Sequence, residues 1–216
     1  MNLGQLRAVF RREAGDTAAP WLWADEDVNA WLNEAQEEAA LRSRLLRGRV
    51  TRNIAVGQMV VDLAPEWFEI RHAELVTAEG THYLLQQVDD FELDRLRPQW
   101  RQERGVPRHF IVIEGELMLD RASDAALTLA LTLEYCCLPP LLQTDVDEPQ
   151  IAVVHHRHLL DWVLFRAFEV PDREVFDPQR SANCRQRFVR YFGRDPVAQL
   201  RHPQSVNNPH HNRCWW

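Results

Sequence analysis

Residues 25–49 read DEDVNAWLNEAQEEAALRSRLLRGR. Val28, Trp31, Leu32, Ala35, Ala39, Leu45 and Leu46 recur at three- and four-residue steps, which lays one apolar face along an α-helix. Asp25 is of N-cap type. Asp25, Glu26 and Asp27 set negative charge at the positive end of the helix dipole, and Arg42, Arg44, Arg47 and Arg49 set positive charge at the other. Gly48 is expected as the C′ stop. Four independent signals agree on this helix, and its apolar face needs a partner.

Upstream, Leu3, Leu6 and Phe10 mark a short amphipathic helix over 2–13, closed by Gly15, too short to stand alone. In the 16–24 loop, Trp21 and Trp23 are expected to pin the chain onto the core. Downstream of Gly48 the period shortens to that of strands. Segments 54–56 and 59–63 are separated by Gly57, and 67–76 turns through Gly80 into 82–88. One or two helical turns over 89–96 end before Pro98. Segments 108–113 and 116–120 flank Glu114-Gly115 as a hairpin with a two-residue loop. In 125–136 the leucines alternate, predicting a long half-buried strand. Short loops without crossover helices favour an antiparallel sheet or small barrel.

Helical spacing returns over 149–170, where Ile151, Val154, His155, His158, Leu159, Trp162, Phe165 and Phe168 wrap much of the circumference. Pro171 stops it. A last helix opens at Asp177-Pro178, with Phe176 placed to staple the start, and ends at Gly193. Its packing side comprises Ala182, Cys184 or Arg185, Phe188, Tyr191 and Phe192. The polar, Pro-, Asn- and His-rich end that finishes on Trp215-Trp216 is expected to be disordered in a free subunit.

The fold expected is therefore α+β: a helical bundle of about four helices with an antiparallel β module inserted between the second and third long helices. The divisions are 1–49 (N-terminal helical part), 50–140 (inserted β module), 141–200 (C-terminal helical part) and 201–216 (flexible arm). Trp31, Leu32, Trp162, Phe188 and Phe192 are the candidate packing residues.

A chain of 216 residues can hold one sizeable core, or a core with a small inserted module. The formal charge of −7 argues against a dedicated nucleic-acid binder. Every basic residue is Arg and none is Lys. The N-terminus is broken by charge every few residues, unlike a signal peptide, and no apolar run approaches a membrane span; a soluble, cytoplasm-made protein is expected. The four cysteines show no CxxC, so free thiols are the expectation. Eight tryptophans without a cofactor motif point to large packed surfaces or interfaces.

Catalytic signals are weak. His155 and His158 share a helical face suited to zinc, but no second ligand pair sits nearby in sequence and HExxH is absent. Solvated faces account for the carboxylates. No GxSxG, Walker loop, GxGxxG or catalytic cysteine context occurs. No enzyme activity, metal or cofactor is expected. The arginines at 42, 44, 47, 49 and 52 either solvate a helix end or touch phosphates.

Trp23, Asp25, Asp27, Val28, the run Trp31-Leu32-Asn33-Glu34-Ala35-Gln36, Glu38-Ala39-Ala40 and Arg42 carry a resemblance. So do Leu160-Asp161-Trp162 with Ala167-Phe168, and Phe188 with Phe192-Gly193. Together they resemble the head-to-tail adaptor (connector, head-completion) proteins of tailed bacteriophages. Trp100, Gly105, Pro107 and the hairpin after them fit the middle segment of the longer adaptors, and the similarity spans about 3–200.

The resemblance implies a ring, usually of twelve subunits, in the virion neck. It docks under the portal after DNA packaging and offers a surface to the tail or next connector. Assembly would take place in the host cytoplasm. The helical part would build the annulus, with Arg42, Arg44, Arg47 and Arg49 at a DNA channel or subunit interface in weak, non-specific contact with DNA. A C-terminal extension would grip the portal, a role that falls here to Arg213, Cys214, Trp215 and Trp216 by position alone, since the tail matches no family motif. The competing readings are a DNA- or RNA-binding regulatory protein using the arginines from 42 to 52, and a metal-dependent hydrolase using the His155 and His158 face.

Overall fold

Asn2 opens the first helix by a reciprocal capping box. Its side chain accepts the Gln5 N–H at 2.9 Å, and the Gln5 side chain accepts the Asn2 N–H at 3.1 Å. Helix α1 (Leu3–Ala14) ends at Gly15, in the left-handed region at φ 84°. These features belong to a computed structural model that describes residues 1–124, 129–171 and 175–194. The chain forms two compact units, one from Met1–Arg47 with 136–194, the other from Gly48–Tyr135. The whole is mixed α+β with five helices among the described residues.

In the first unit, α1 buries Leu3, Leu6 and Phe10. Helix α2 (Asp25–Ser43) departs from expectation at both ends. Ala24 stands at the N-cap without a side-chain hydrogen bond, because Asp25 lies inside the first turn and gives its carboxylate to Arg11 and Arg7. At the other end the helix stops at Ser43, not near Gly48. Arg44 turns the chain through φ 52° with its N–H on Ala40 O. The reason is tertiary. Leu46 O already accepts the N–H of Cys137 at 3.1 Å, and the chain continues as β1 (Arg47–Ile54). Strand pairing overrides the helical spacing of Leu45 and Leu46. Leu45 is consequently exposed, while Leu46 packs at the core margin.

The expected 149–170 helix also starts late. Ile151 is buried, a 3-10 turn spans Val153–His155, and α4 runs His156–Glu169. Buried His156 donates from Nε2 to Ile151 O at 2.7 Å and fixes this kink. Helix α4 buries residues on most of its circumference and packs against α1, α2 and α5 (Pro178–Phe192). Asp177 caps α5 by accepting the Arg180 N–H at 2.9 Å, with Pro178 in the first turn. The inward face of α5 is Ser181, Cys184, Phe188 and Phe192; Cys184 is buried where Arg185 is exposed, and Ala182 and Tyr191 lie exposed at its flanks. Phe176 does not staple this helix: it is half exposed, because the position it would meet is Ser181, whose hydroxyl bonds Phe165 O. Leu32, Trp162, Phe188 and Phe192 share one core, whereas Trp31 is only partly buried at its margin.

The second unit holds two four-stranded sheets. One has the order β1, β8 (Leu129–Cys137), β3 (Trp67–Thr77), β4 (His82–Leu84). The other has β2 (Val60–Asp62), β7 (Glu116–Leu119), β6 (His109–Ile113), β5 (Gln86–Gln87). The β6/β7 hairpin turns through Glu114 (φ 46°) and Gly115 (φ 88°), both left-handed as a two-residue hairpin of this twist requires. The second sheet is mixed, since β5 pairs parallel to β6. Between them the chain makes α3 (Asp90–Leu96) and a 3-10 turn at Trp100–Gln102, a crossover that the short helical signal concealed. Leu129, Leu131 and Leu133 of β8 are fully buried; residues 125–128 of the expected strand lie outside the described residues. Both sheets feed one core with Phe110, Leu117 and Leu119, while Ile111 and Met118 point the other way to meet Leu93 and Trp100.

Candidate assembly surfaces

Polar side chains within the helical unit fasten chain segments together before any surface is considered. Asn33 on α2 treats Leu142 as a strand neighbour would: its Oδ1 accepts the Leu142 N–H at 2.7 Å and its Nδ2 donates to Leu142 O at 3.0 Å. Gln36, one turn on, donates to Pro140 O at 2.8 Å. The same segment meets the start of α1, where Leu3 N–H and Gly4 N–H donate to Asp147 O and Asp145 O. Arg7 adds an ion pair to Asp145 at 2.8 Å. Arg11, 8% exposed, gathers Asp16, Asp25 and the Trp23 carbonyl and so holds the 16–25 loop. Of the two loop tryptophans, Trp23 is buried between Phe10 and Phe168, while Trp21 is half exposed beneath the Arg11 guanidinium.

The four arginines singled out at the end of α2 part company. Arg42 points inward: it is ion-paired to Glu38 at 2.7 Å and lies over the rings of Trp162 and Phe188, at 5.3 and 5.8 Å. Arg44 is partly buried and its carbonyl accepts the Arg47 Nε–H, whereas Arg47 and Arg49 are exposed. The candidate arm residues Arg213, Cys214, Trp215 and Trp216 lie outside the described residues.

The histidine face makes a different arrangement from a metal site. His158 stacks on Tyr191 with centroids 3.5 Å apart, and His155 Nδ1 contacts the Tyr191 hydroxyl at 3.0 Å. Among the described residues no group of three His, Cys, Asp or Glu is close enough to hold a metal ion. Burial pushes the Cys184 thiol pKa up against the opposing pull of Arg187, which disfavours the nucleophilic thiolate. Among the described residues no helix is long and apolar enough to cross a membrane.

Two surface features were not singled out in the sequence. A trough of about 560 Å³ lies beside α5, lined by residues including Phe165, Phe176, Ala182 and Val189. The outward face of α5 itself is built from Gln, Asn and Arg without an acid. A helical wheel of 178–192 would have separated that face from Phe188 and Phe192.

A family model described as SU10 adaptor protein matches residues 1–211. No curated protein matches the chain.

Proposed function

Since the chain belongs to the SU10 adaptor protein family, matched over residues 1–211, we propose that it is a structural component of a tailed-phage virion without enzyme activity. Its copies form a homo-oligomeric ring, expected at twelve, that joins the portal of the head to the tail or next connector in the neck and completes the head after DNA packaging. The helical parts at 1–49 and 141–200 act as a bundle that builds the annulus. The β module at 50–140 stands as a separate domain, and 201–216 serve as the portal-gripping arm, with Trp215 and Trp216 as its anchors.

The observation that carries this reading is the extent of the family match, which takes in the helical unit and the β unit alike. The inward use of conspicuous polar groups supports it. Asn33, Gln36, Arg11 and Arg42 all fasten the helical unit together, leaving the motif residues without a catalytic task. The exposed Arg47 and Arg49, with the partly buried Arg44 beside them, make weak contact with packaged DNA, while the acidic total suits a channel in which DNA slides. The DNA-binding regulatory alternative is weakened at its first member, since Arg42 lies over Trp162 with 3% of its side chain exposed.

Native mass spectrometry and negative-stain imaging of the full chain, alone and with a portal ring, test the proposal. Rings of about a dozen subunits are expected. A strictly monomeric chain that also ignores the portal sinks it.

A further inference from the structure

Helix α5 has two unlike sides. Ser181, Cys184, Phe188 and Phe192 face the core, and Gln179, Asn183, Gln186 and Arg190 recur at three- and four-residue steps on the opposite, exposed side. Every one of these outward side chains carries N–H donors. The helix holds four arginines and no acid, so of the total charge of −7 it contributes +4 and the remainder of the chain −11. Arg187 is paired to Asp161 at 2.6 Å and Arg180 lies over Phe168. Arg185 lies on the flank beside the core, over the Phe165 ring at 5.6 Å, whereas Arg190 stands on the outward side, exposed and without an ion-pair partner among the described residues.

The same unit carries the complement. On α2 the face turned away from Leu32 and Ala39 bears Asp27, Ala30, Glu34, Glu37 and Leu41 at helical spacing. Glu34 is held by Arg166 at 3.1 Å, while exposed Asp27 and Glu37 have no ion-pair partner among the described residues. Both helices pack on α4.

We propose that the arginine and amide face of α5 in one subunit docks on the acidic outward face of α2 in a second copy of this chain, the pairing repeating head to tail. The inference rests on the ring reading and supplies its interface. Charge decides the geometry. A twofold contact through α5 would set arginines against arginines, whereas joining two different faces avoids this and generates a ring when the rotation closes. Charge also decides the occupant: a donor-rich face on an otherwise −11 chain meets carboxylates on every other copy, while nucleic acid meets repulsion from the rest of the surface.

The test is a charge swap in the full chain. Variant one carries Gln186→Glu and Arg190→Glu; variant two carries Asp27→Arg and Glu37→Arg. All four positions are exposed, and far-UV circular dichroism checks that each variant folds as the wild type does. Sedimentation at low salt is expected to show each variant alone associating at least about tenfold more weakly than wild type. An equimolar mixture is expected to restore assembly, because each reversed face then finds its opposite on the other variant. Variants that assemble as wild type does overturn the interface while leaving the ring reading intact. So does a mixture that fails to recover. If variant one instead loses only retardation of duplex DNA, the face serves phosphates and the proposal falls. A wild-type chain that neither self-associates nor assembles on a portal ring removes the ring reading and the interface with it.

Discussion

Asn33 shows how much of this fold hangs on single polar side chains. Its amide satisfies both backbone groups of Leu142, a residue 109 positions away and 5% exposed. Asn33→Ala leaves a buried N–H and C=O unmatched, and chemical denaturation is expected to show a loss of about 2–3 kcal/mol. Five residues on, Asp147 closes its own turn by accepting the Thr144 hydroxyl at 2.6 Å and the N–H groups of Thr144 and Gln143 at 2.8 Å. These hydrogen bonds, that of the Thr144 hydroxyl foremost, hold its pKa below the ordinary aspartate value. Depression means the ionised form is the one the fold prefers. Its contribution is present in full above about pH 4 and is lost as pH falls through the lowered value. The Thr144 amide resonance is therefore expected to hold its position from neutral pH down to about 4 and to move only below it. Neither role is legible locally, because nothing in 31–36 names its distant partner and an exposed acidic loop reads as solvated surface.

At the scale of elements, sequence patterns foretell what is locally determined and miss what a neighbour decides. The Asp177 cap, the Gly15 stop and the Glu114-Gly115 hairpin all rest on contacts within a few residues, and each is found where its signal lies. The end of α2 is set by sheet pairing instead, and the glycine expected to stop the helix has another purpose. Gly48 lies in β1 directly beneath the Tyr135 ring, which stacks on Trp67 with centroids 3.8 Å apart; a Cβ at 48 would clash with that ring. Gly48→Ala is expected to push Tyr135 off the stack and cost about 1–3 kcal/mol by denaturation. The mixed sheet escaped notice for the same reason, since the crossover after β5 contains only a short helix and a 3-10 turn. Packing residues divide likewise. Phe188 is fully buried against Trp162 and Phe192, so Phe188→Ala is expected to cost about 3–5 kcal/mol. Trp31 is only partly buried, so Trp31→Ala is expected to cost about 1–2 kcal/mol, less than its place in the motif suggests. Equal losses at the two positions would contradict the core boundary drawn here.

For the whole molecule, family membership covers residues 1–211, and the proposed arm runs past the end of that match to Trp216. In that proposal its last four residues, Arg213 to Trp216, lie outside the match and would act through their own chemistry. Two adjacent tryptophans offer large apolar area on few rotatable bonds, and an arginine beside them supplies charge. These residue types dominate binding hot spots, where single truncations commonly cost about 2 kcal/mol or more. Among the described residues the core of the helical unit closes on Phe188 and Phe192, before Gly193. Deleting 207–216 is therefore expected to leave the thermal unfolding midpoint of the subunit within about 2 °C of wild type, the range of a surface change. Portal docking should weaken by at least about tenfold. The two readouts separate an arm from a structural strap: a lowered midpoint assigns the segment to the fold, and unchanged docking removes it from the portal contact. Restoring only Trp215 and Trp216 on a Gly/Ser replacement of 207–214 should recover most of the docking if the tryptophans carry it.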